Sequence, residues 1–185
     1  KIYVQSAAGD AGGAIGAAYE TWHRVGGKKA LQRCNSHDHA YWGPSFNDEY
    51  CGILLDKEKE KIKKENCTIS HISNFPELVS KTATAIANGK VIGWFQGKME
   101  WGPRALGNRS IIGDPRRHDM KDILNLKIKR RESFRPFAPS IINEKVEEWF
   151  EQIDDVPFMM QVYQILEEKR NKIPAVTHVD GSGRL

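Results

Sequence analysis

Apolar positions recur at a helical period in some stretches of the chain and run together or alternate in others, and the change of period predicts the order of elements. In the segment PELVSKTATAIANGK, Leu78, Val79, Thr82 and Ile86 fall at three- to four-residue spacing. Pro76 stands near the start and Gly89 where a left-handed C-cap is expected. VIGWFQG follows as a short continuous apolar run, the mark of a buried strand. Beyond it the pattern predicts a short strand at 111–112 and a break at Asp114 and Pro115. A helix through Met120, Ile123, Leu124 and Ile128 follows, then FRPFAPSII in extended form. Asn143 is expected to cap a short helix in EKVEEWF, with strands in FMMQVYQIL and AVTHV.

The N-terminal third is patterned differently. KIYVQ alternates like a strand, a glycine-rich turn follows Asp10, and an alanine-rich helix is expected over 14–22. Residues 25–75 hold scattered glycines, the triplet His37-Asp38-His39, YWGPSF and the charged run DKEKEKIKKEN, which predict a linker with one solvated helix. Helices and strands mixed in this order indicate an α/β (mixed α+β) fold.

Length and composition narrow the class. The chain has 185 residues, 39% of them hydrophobic, enough to bury a core. No apolar stretch approaches the ~20 residues of a membrane helix, and the N-terminus lacks the layout of a secretory signal, so a cytoplasmic setting and no membrane partner are expected. Cys34, Cys51 and Cys67 form no CxxC pair and are read as reduced thiols.

Charge changes the picture more. The chain carries a formal +4, but residues 98–135 hold eleven Lys and Arg against five Asp and Glu, so the whole excess sits in one window. Such a window suits nucleic acid, an anionic surface or small phosphates, and equally a solvated basic face.

Within it, GKMEWGPRALGNRS combines glycines at 97, 102 and 107 with Pro103, Lys98, Arg104 and Arg109. Glycines let backbone N–H groups approach an anion or adopt positive φ, and a guanidinium forks onto phosphate or carboxylate oxygens. The composition handles phosphate without matching GxxxxGK[ST] or GxGxxG. Ser110 can donate a hydrogen bond to phosphate or serve the strand, and Glu100 is expected to pair with an arginine and orient it. Downstream, Lys127, Lys129, Arg130, Arg131 and Arg135 continue the basic run, with Lys127, Arg130 and Arg131 expected on one helix face. Phe134 and Phe137 flank Arg135 and are expected to face the core, with Arg135 turned toward a cleft.

GWFQGKMEWGPRALGNRSIIGDPRR, IKRRESFRPFAPSI and PAVTHVDGSGRL, in that order, resemble the C-terminal part of the O-carbamoyltransferases of the nodulation and antibiotic-tailoring type, the NodU/CmcH family. AAGDAGGAIGAA at residues 7–18 resembles the end of that family's first domain. The resemblance covers nearly the whole chain and is weakest over 25–75. It implies that residues 1–24 are the last strand and helix of an actin/Hsp70-like carbamoyl-transfer domain, that 25–75 join the two parts, and that 76–185 are most of a YrdC-like domain with an open twisted sheet and flanking helices. Both ends of the chain would then be cuts inside a domain, leaving a fragment at most partly active.

The implied chemistry is ATP-dependent. Carbamoyl phosphate and ATP give carbamoyl adenylate, and the first domain passes the carbamoyl group to a hydroxyl of a small-molecule acceptor. Carried over by position, Lys98, Arg104, Arg131 and Arg135 become candidate catalytic residues. Gly102, Gly107, Arg109, Ser110, Lys129, His178, Asp180 and Arg184 become candidate substrate- or nucleotide-binding residues. Asp10 matches an aspartate that holds a divalent metal, Mg or Fe, together with two histidines that this chain does not contain; His37 and His39 are not assigned to metal. Position 182 departs from the family's usual threonine, but serine keeps the hydroxyl.

Carbamoyl phosphate, ATP and a hydroxyl compound are thus the expected partners, and a homodimer is left open. Two readings of other kinds stand beside this one. One is a carbamoyl-adenylate-forming enzyme serving a tRNA base or protein thiol; the other is a nucleic-acid module, disfavoured because both phenylalanines are expected to be buried.

Overall fold

A computed structural model describes residues 4–26, 39–152 and 154–185, with Asp10 described in its backbone alone. The expected strand over KIYVQ lies mostly outside the described residues, and so do Cys34 and His37. Helix α1 spans Asp10–Val25, four residues earlier than the alanine run suggested, and α2 (Asp48–Lys57) and α3 (Lys59–Lys64) carry the charged segment. Neither α2 nor α3 has a buried residue, as a solvated segment should. No helix among the described residues is long and apolar enough to cross a membrane.

Helix α4 (Phe75–Ala87) follows its sequence signals closely. The Asn74 side chain accepts from the Glu77 N–H at 3.0 Å. At the other end the N–H of Gly89, at φ +79°, donates to the Ile86 carbonyl and that of Lys90 to the Ala85 carbonyl, a Schellman closure. Leu78, Thr82 and Ile86 are half-buried, whereas Val79 is exposed.

Strand β1 (Ile92–Phe95) pairs antiparallel with β2 (Arg109–Ile112), joining Ile92 to Ile112 and Phe95 to Arg109. The loop between them is the glycine-rich basic segment. Helix α5 (Met120–Asp122) widens into a π-helix over Ile123–Lys129, which stops where Arg130 turns left-handed at φ +49°. The basic run therefore leaves the helix at Arg130, and the single face expected for Lys127, Arg130 and Arg131 does not form.

A 3-10 helix over Asn143–Glu148 replaces the expected capped helix. The Asn143 side chain donates to Asp155 at 2.7 Å instead of capping. Only Val162–Gln164 of the next apolar stretch forms a strand, β3, and the short helix α6 (Glu167–Arg170) follows it. AVTHV is a turn rather than a strand, because the Thr177 hydroxyl bonds back to the carbonyls of Arg170 and Ile173. Strand β4 comes later, at Ser182–Arg184, antiparallel to β3.

The mixed helix-and-strand fold is as expected, with the described strands in two two-stranded ribbons. Val146, Phe150, Ile165, Ile173, Val176 and Leu185 form one core cluster, and Met120, Leu124 and Ala175 form another. Phe137 packs against both. Phe134, by contrast, is 76% exposed. Phe134 sits in a turn closed from the Arg135 N–H to the Glu132 carbonyl at 3.3 Å, ahead of the extended run that buries Phe137, which corrects the expectation that both face the core.

Candidate anion site

The loop between β1 and β2 is organised around a carboxylate. Glu100 is buried, and its Oε1 accepts from the N–H groups of Leu106 and Asn108 at 2.8 Å each and of Arg109 at 3.2 Å. The Arg109 guanidinium closes on it from Nε to Oε2 at 3.2 Å and from Nη2 to the Glu100 carbonyl at 3.0 Å. Burial works against the charge, but the converging N–H groups and the guanidinium outweigh it and hold the carboxyl at about 2. Arg109 is thereby committed to the loop, and Glu100 has the orienting role expected of it.

The glycines serve the same turn. Gly102 and Gly107 sit at φ +122° and +107°, conformations that L side chains rarely adopt. The Gly107 N–H donates to the Ser110 hydroxyl at 3.1 Å, so Ser110 is used structurally. Asn108 donates to the Lys98 carbonyl at 2.6 Å, and the Lys98 side chain is exposed.

The N-terminal segments dock on this loop. Trp101 donates from its indole to the Ala11 carbonyl at 3.2 Å, and its N–H reaches the Ala40 carbonyl at 2.7 Å. Gly43 and Met99 are joined at 2.9 Å, and the Tyr41 hydroxyl reaches the Leu106 carbonyl at 2.8 Å. Ala7, Ala8, Gly9 and Ala11 line a shallow open groove of about 460 Å³ with Trp101, Gly102 and Pro103.

A second set of basic residues has no carboxylate among the described residues hydrogen-bonded to it. Arg184, on β4, buries its Nε without a hydrogen-bond partner, and the charges acting on it are those of Arg104 and Arg131. Burial first, and then those two like charges, push its guanidinium below the usual arginine range. The Arg104 side chain has neither ion pair nor hydrogen bond to a described residue. Arg131 is fixed by neutral contacts: Nε donates to Asn125 Oδ1 at 2.7 Å, and the guanidinium lies 4.7 Å from the centre of the Phe137 ring.

Asn125 was not singled out in the sequence, yet it is fully buried and holds this corner together. Its amide donates to the carbonyls of Ser133 at 3.2 Å and Arg135 at 2.9 Å while its oxygen receives Arg131. The signal was a lone amide in the apolar run ILNLKI. Its π-helical setting and the left-handed Arg130 beside it are irregularities of the kind that cluster at functional sites.

His178 completes the cluster. Its ring is half-buried, its Nε2 is buried without a partner, and its Nδ1 lies 2.9 Å from the Ser182 hydroxyl. Burial holds the ring below the usual histidine range. Arg184 and Lys121 push the same way, against the pull of Asp180. Asp180 accepts from the Ser182 hydroxyl at 2.6 Å and N–H at 3.0 Å, which keeps its carboxyl below the usual range.

Two expected residues have exposed side chains. Arg135 pairs with Glu132 at 2.9 Å with both side chains about half exposed, and Lys129 is exposed at the end of the π-helix. Asp10 opens α1, but its side chain is outside the described residues; His39 accepts from the Tyr41 N–H at 3.1 Å and packs against the Tyr41 and Trp42 rings. Among the described residues no three His, Cys, Asp or Glu side chains come together as a metal site would require.

The family model described as the carbamoyltransferase C-terminus matches residues 83–185, which include every member of the cationic cluster. Nodulation protein NolO of Bradyrhizobium diazoefficiens is 43% identical over 189 residues, covering 100% of this chain and 32% of that protein. Nodulation protein NolNO of Sinorhizobium fredii is 44% identical over 188 residues, covering 100% of this chain and 26% of that protein. The 3'-hydroxymethylcephem-O-carbamoyltransferase of Streptomyces clavuligerus is 31% identical over 183 residues, 99% of this chain and 31% of the enzyme. The chain thus spans about a third of the length of the curated relatives it matches, and it belongs to the carbamoyltransferase C-terminal family.

Proposed function

We propose that this chain is the anion-handling part of an O-carbamoyltransferase, where carbamoyl phosphate and ATP are held for carbamoyl activation. The observation that carries the reading is Arg184: a half-buried guanidinium whose Nε is buried without a partner, repelled by Arg104 and Arg131. Glu132 acts on Arg131 but is paired with Arg135, so the three arginines remain net positive, and a phosphate accepts from several guanidinium forks at once. A relative that carries the name of an O-carbamoyltransferase, alongside the nodulation proteins, supports carbamoyl as the group and a hydroxyl as the acceptor.

In this reading residues 76–185 are the YrdC-like activating unit and residues 1–24 belong to the transfer domain, with ATP as cosubstrate. Carbamoyl phosphate gives up phosphate by taking one water, leaving carbamate. A carbamate oxygen then bonds to the α-phosphorus of ATP as the bond to the β-phosphate side breaks, giving carbamoyl adenylate and pyrophosphate. Finally the acceptor hydroxyl attacks the carbamoyl carbon, AMP leaves with the bonding electron pair, and the hydroxyl proton is released. The protein's part in the first two steps is electrostatic: Arg104, Arg131 and Arg184 neutralise charge on the phosphate groups that separate. Asp10 is the residue proposed to contribute to a divalent-metal site in the transfer domain, where the ion would act as a Lewis acid toward phosphate oxygens.

The test is carbamoyl-phosphate-dependent release of pyrophosphate from ATP by the full-length protein, with Arg184→Ala beside it. Release that requires carbamoyl phosphate and falls ~100-fold in the variant, about 2.7 kcal/mol of transition-state stabilisation, supports the reading. Release independent of carbamoyl phosphate, or unchanged in Arg184→Ala, overturns it.

A further inference from the structure

Strand β4 divides its residues between two environments. Gly183 and Leu185 face the core: a Cβ at Gly183 would lie 3.1 Å from Ile165 and Phe150, and Leu185 is buried in the same cluster. Alternation sends Ser182 and Arg184 to the opposite face. His178, bonded to the Ser182 hydroxyl, therefore lies on the side of the strand that carries Arg184 and the cationic cluster.

The hydrogen bonds fix which ring nitrogen carries the proton. The Asp180 carboxylate can only accept, so the 2.6 Å contact uses the Ser182 hydroxyl hydrogen. Ser182 Oγ is left with lone pairs toward His178, and the 2.9 Å contact must be donated by Nδ1–H. In the neutral ring Nε2 is then bare, an acceptor buried without a donor. Arg184 Nε–H presents the converse on the same face, a buried donor without an acceptor.

An unmatched acceptor and an unmatched donor together call for a ligand group that offers both, and a primary amide does: its oxygen accepts and its NH2 donates. We infer that His178 is the residue that reads the NH2 of the carbamoyl donor, accepting its N–H at Nε2 while Arg184 holds the neighbouring oxygens, with the Asp180–Ser182 pair as the positioning device that fixes the tautomer. This rests on the carbamoyl reading above and extends it from anion binding to choice of donor. A phosphate ester or acyl phosphate without the NH2 satisfies the arginines but gains no hydrogen bond at Nε2, and that missing bond is what discriminates.

The experiment uses the full-length protein and two stable phosphonates that differ only at that group. Phosphonoacetamide carries the terminal C(=O)NH2, and 2-oxopropylphosphonate has methyl in its place; inorganic phosphate reports the arginines alone. Calorimetric titration is expected to show phosphonoacetamide bound at least ~10-fold more tightly than the ketone by the native protein. In His178→Leu the two should bind equally. Ser182→Ala keeps the ring but frees the tautomer and should lose part of the preference. Nitrogen-15 histidine NMR of the native protein, which needs no variant to fold, should place the His178 proton on Nδ1.

Equal binding of the two phosphonates by the native protein, an undiminished preference in His178→Leu, or a proton on Nε2 each overturn the assignment while leaving the anion site standing. Binding of phosphate but of neither phosphonate, together with no carbamoyl-phosphate-dependent pyrophosphate release, removes the carbamoyl reading and this assignment with it.

Discussion

The β1–β2 loop and the face of β4 are both rich in basic side chains, and they use them in opposite ways. Around Glu100 the charges close on each other: one buried carboxylate collects three N–H groups and the Arg109 guanidinium, which commits Arg109 to the loop while Arg104 of the same loop stays unpaired among the described residues. Around Arg184 the charges repel and the buried polar atoms are unmatched. The first arrangement builds a rigid loop. The second is unfavourable on its own and becomes favourable only with an anion present. A basic count in the sequence does not separate these cases, since Arg116 pairs with Asp114, Arg117 with Asp119 and Arg135 with Glu132 within the same window.

The sharpest way to break this contrast is Glu100→Ala, which leaves three N–H groups and Arg109 without their acceptor. It should cost ~3 kcal/mol of unfolding free energy, read in urea titrations, with activity lost in proportion to folded protein. The same carboxylate predicts an acid limb. Its folded pKa of about 2 lies below the unfolded value near 4.3, so its contribution is complete above pH ~4.3 and is lost as the pH falls toward 2. Glu100→Gln should show a flatter stability profile across that window; an equally steep profile would assign the acid loss to other carboxylates.

Arg184→Met should behave in the opposite sense. Without anions it should match or exceed the native protein in stability, because it removes a half-buried charge with an unpartnered Nε that faces two other cations. Phosphate at ten times its Kd should stabilise the native protein by ~1.4 kcal/mol in thermal unfolding and the variant hardly at all. A destabilised variant that still responds to phosphate would show that Arg184 is a structural residue like Arg109.

The smallest effect is expected at Arg135→Ala. Its exposed pair with Glu132 should change pyrophosphate release less than ~3-fold, against ~100-fold for Arg184→Ala. A large loss there would extend the site beyond the three arginines to the outer end of the loop.

Helix α4 was legible because its signals are local: Asn74, Pro76, the apolar spacing and Gly89 all act within a few residues of one another. The positive φ of Gly102 and Gly107 and the pairing of Glu100 with an arginine were legible for the same reason. Phe134 and AVTHV were misread where local pattern competed with packing. Phe137 packs inward while Phe134 lies in the turn before it, and the Thr177 hydroxyl satisfies nearby carbonyls where a strand was expected.

What the sequence by itself determined, then, is what lies within a turn or a helix: the caps, the glycine loop, the mixed helix-and-strand order, and a family membership carried by ordered motifs. Which arginines stay unpaired was decided by tertiary structure alone. Arg104, Arg131 and Arg184 come from three separate segments, and their mutual repulsion exists only once the fold brings them together. Glu100 and Arg109 are nine positions apart in one hairpin, close enough to neutralise each other through the local turn. Charge compensation depends on distance in space, and only the short-range part of that distance is written along the chain.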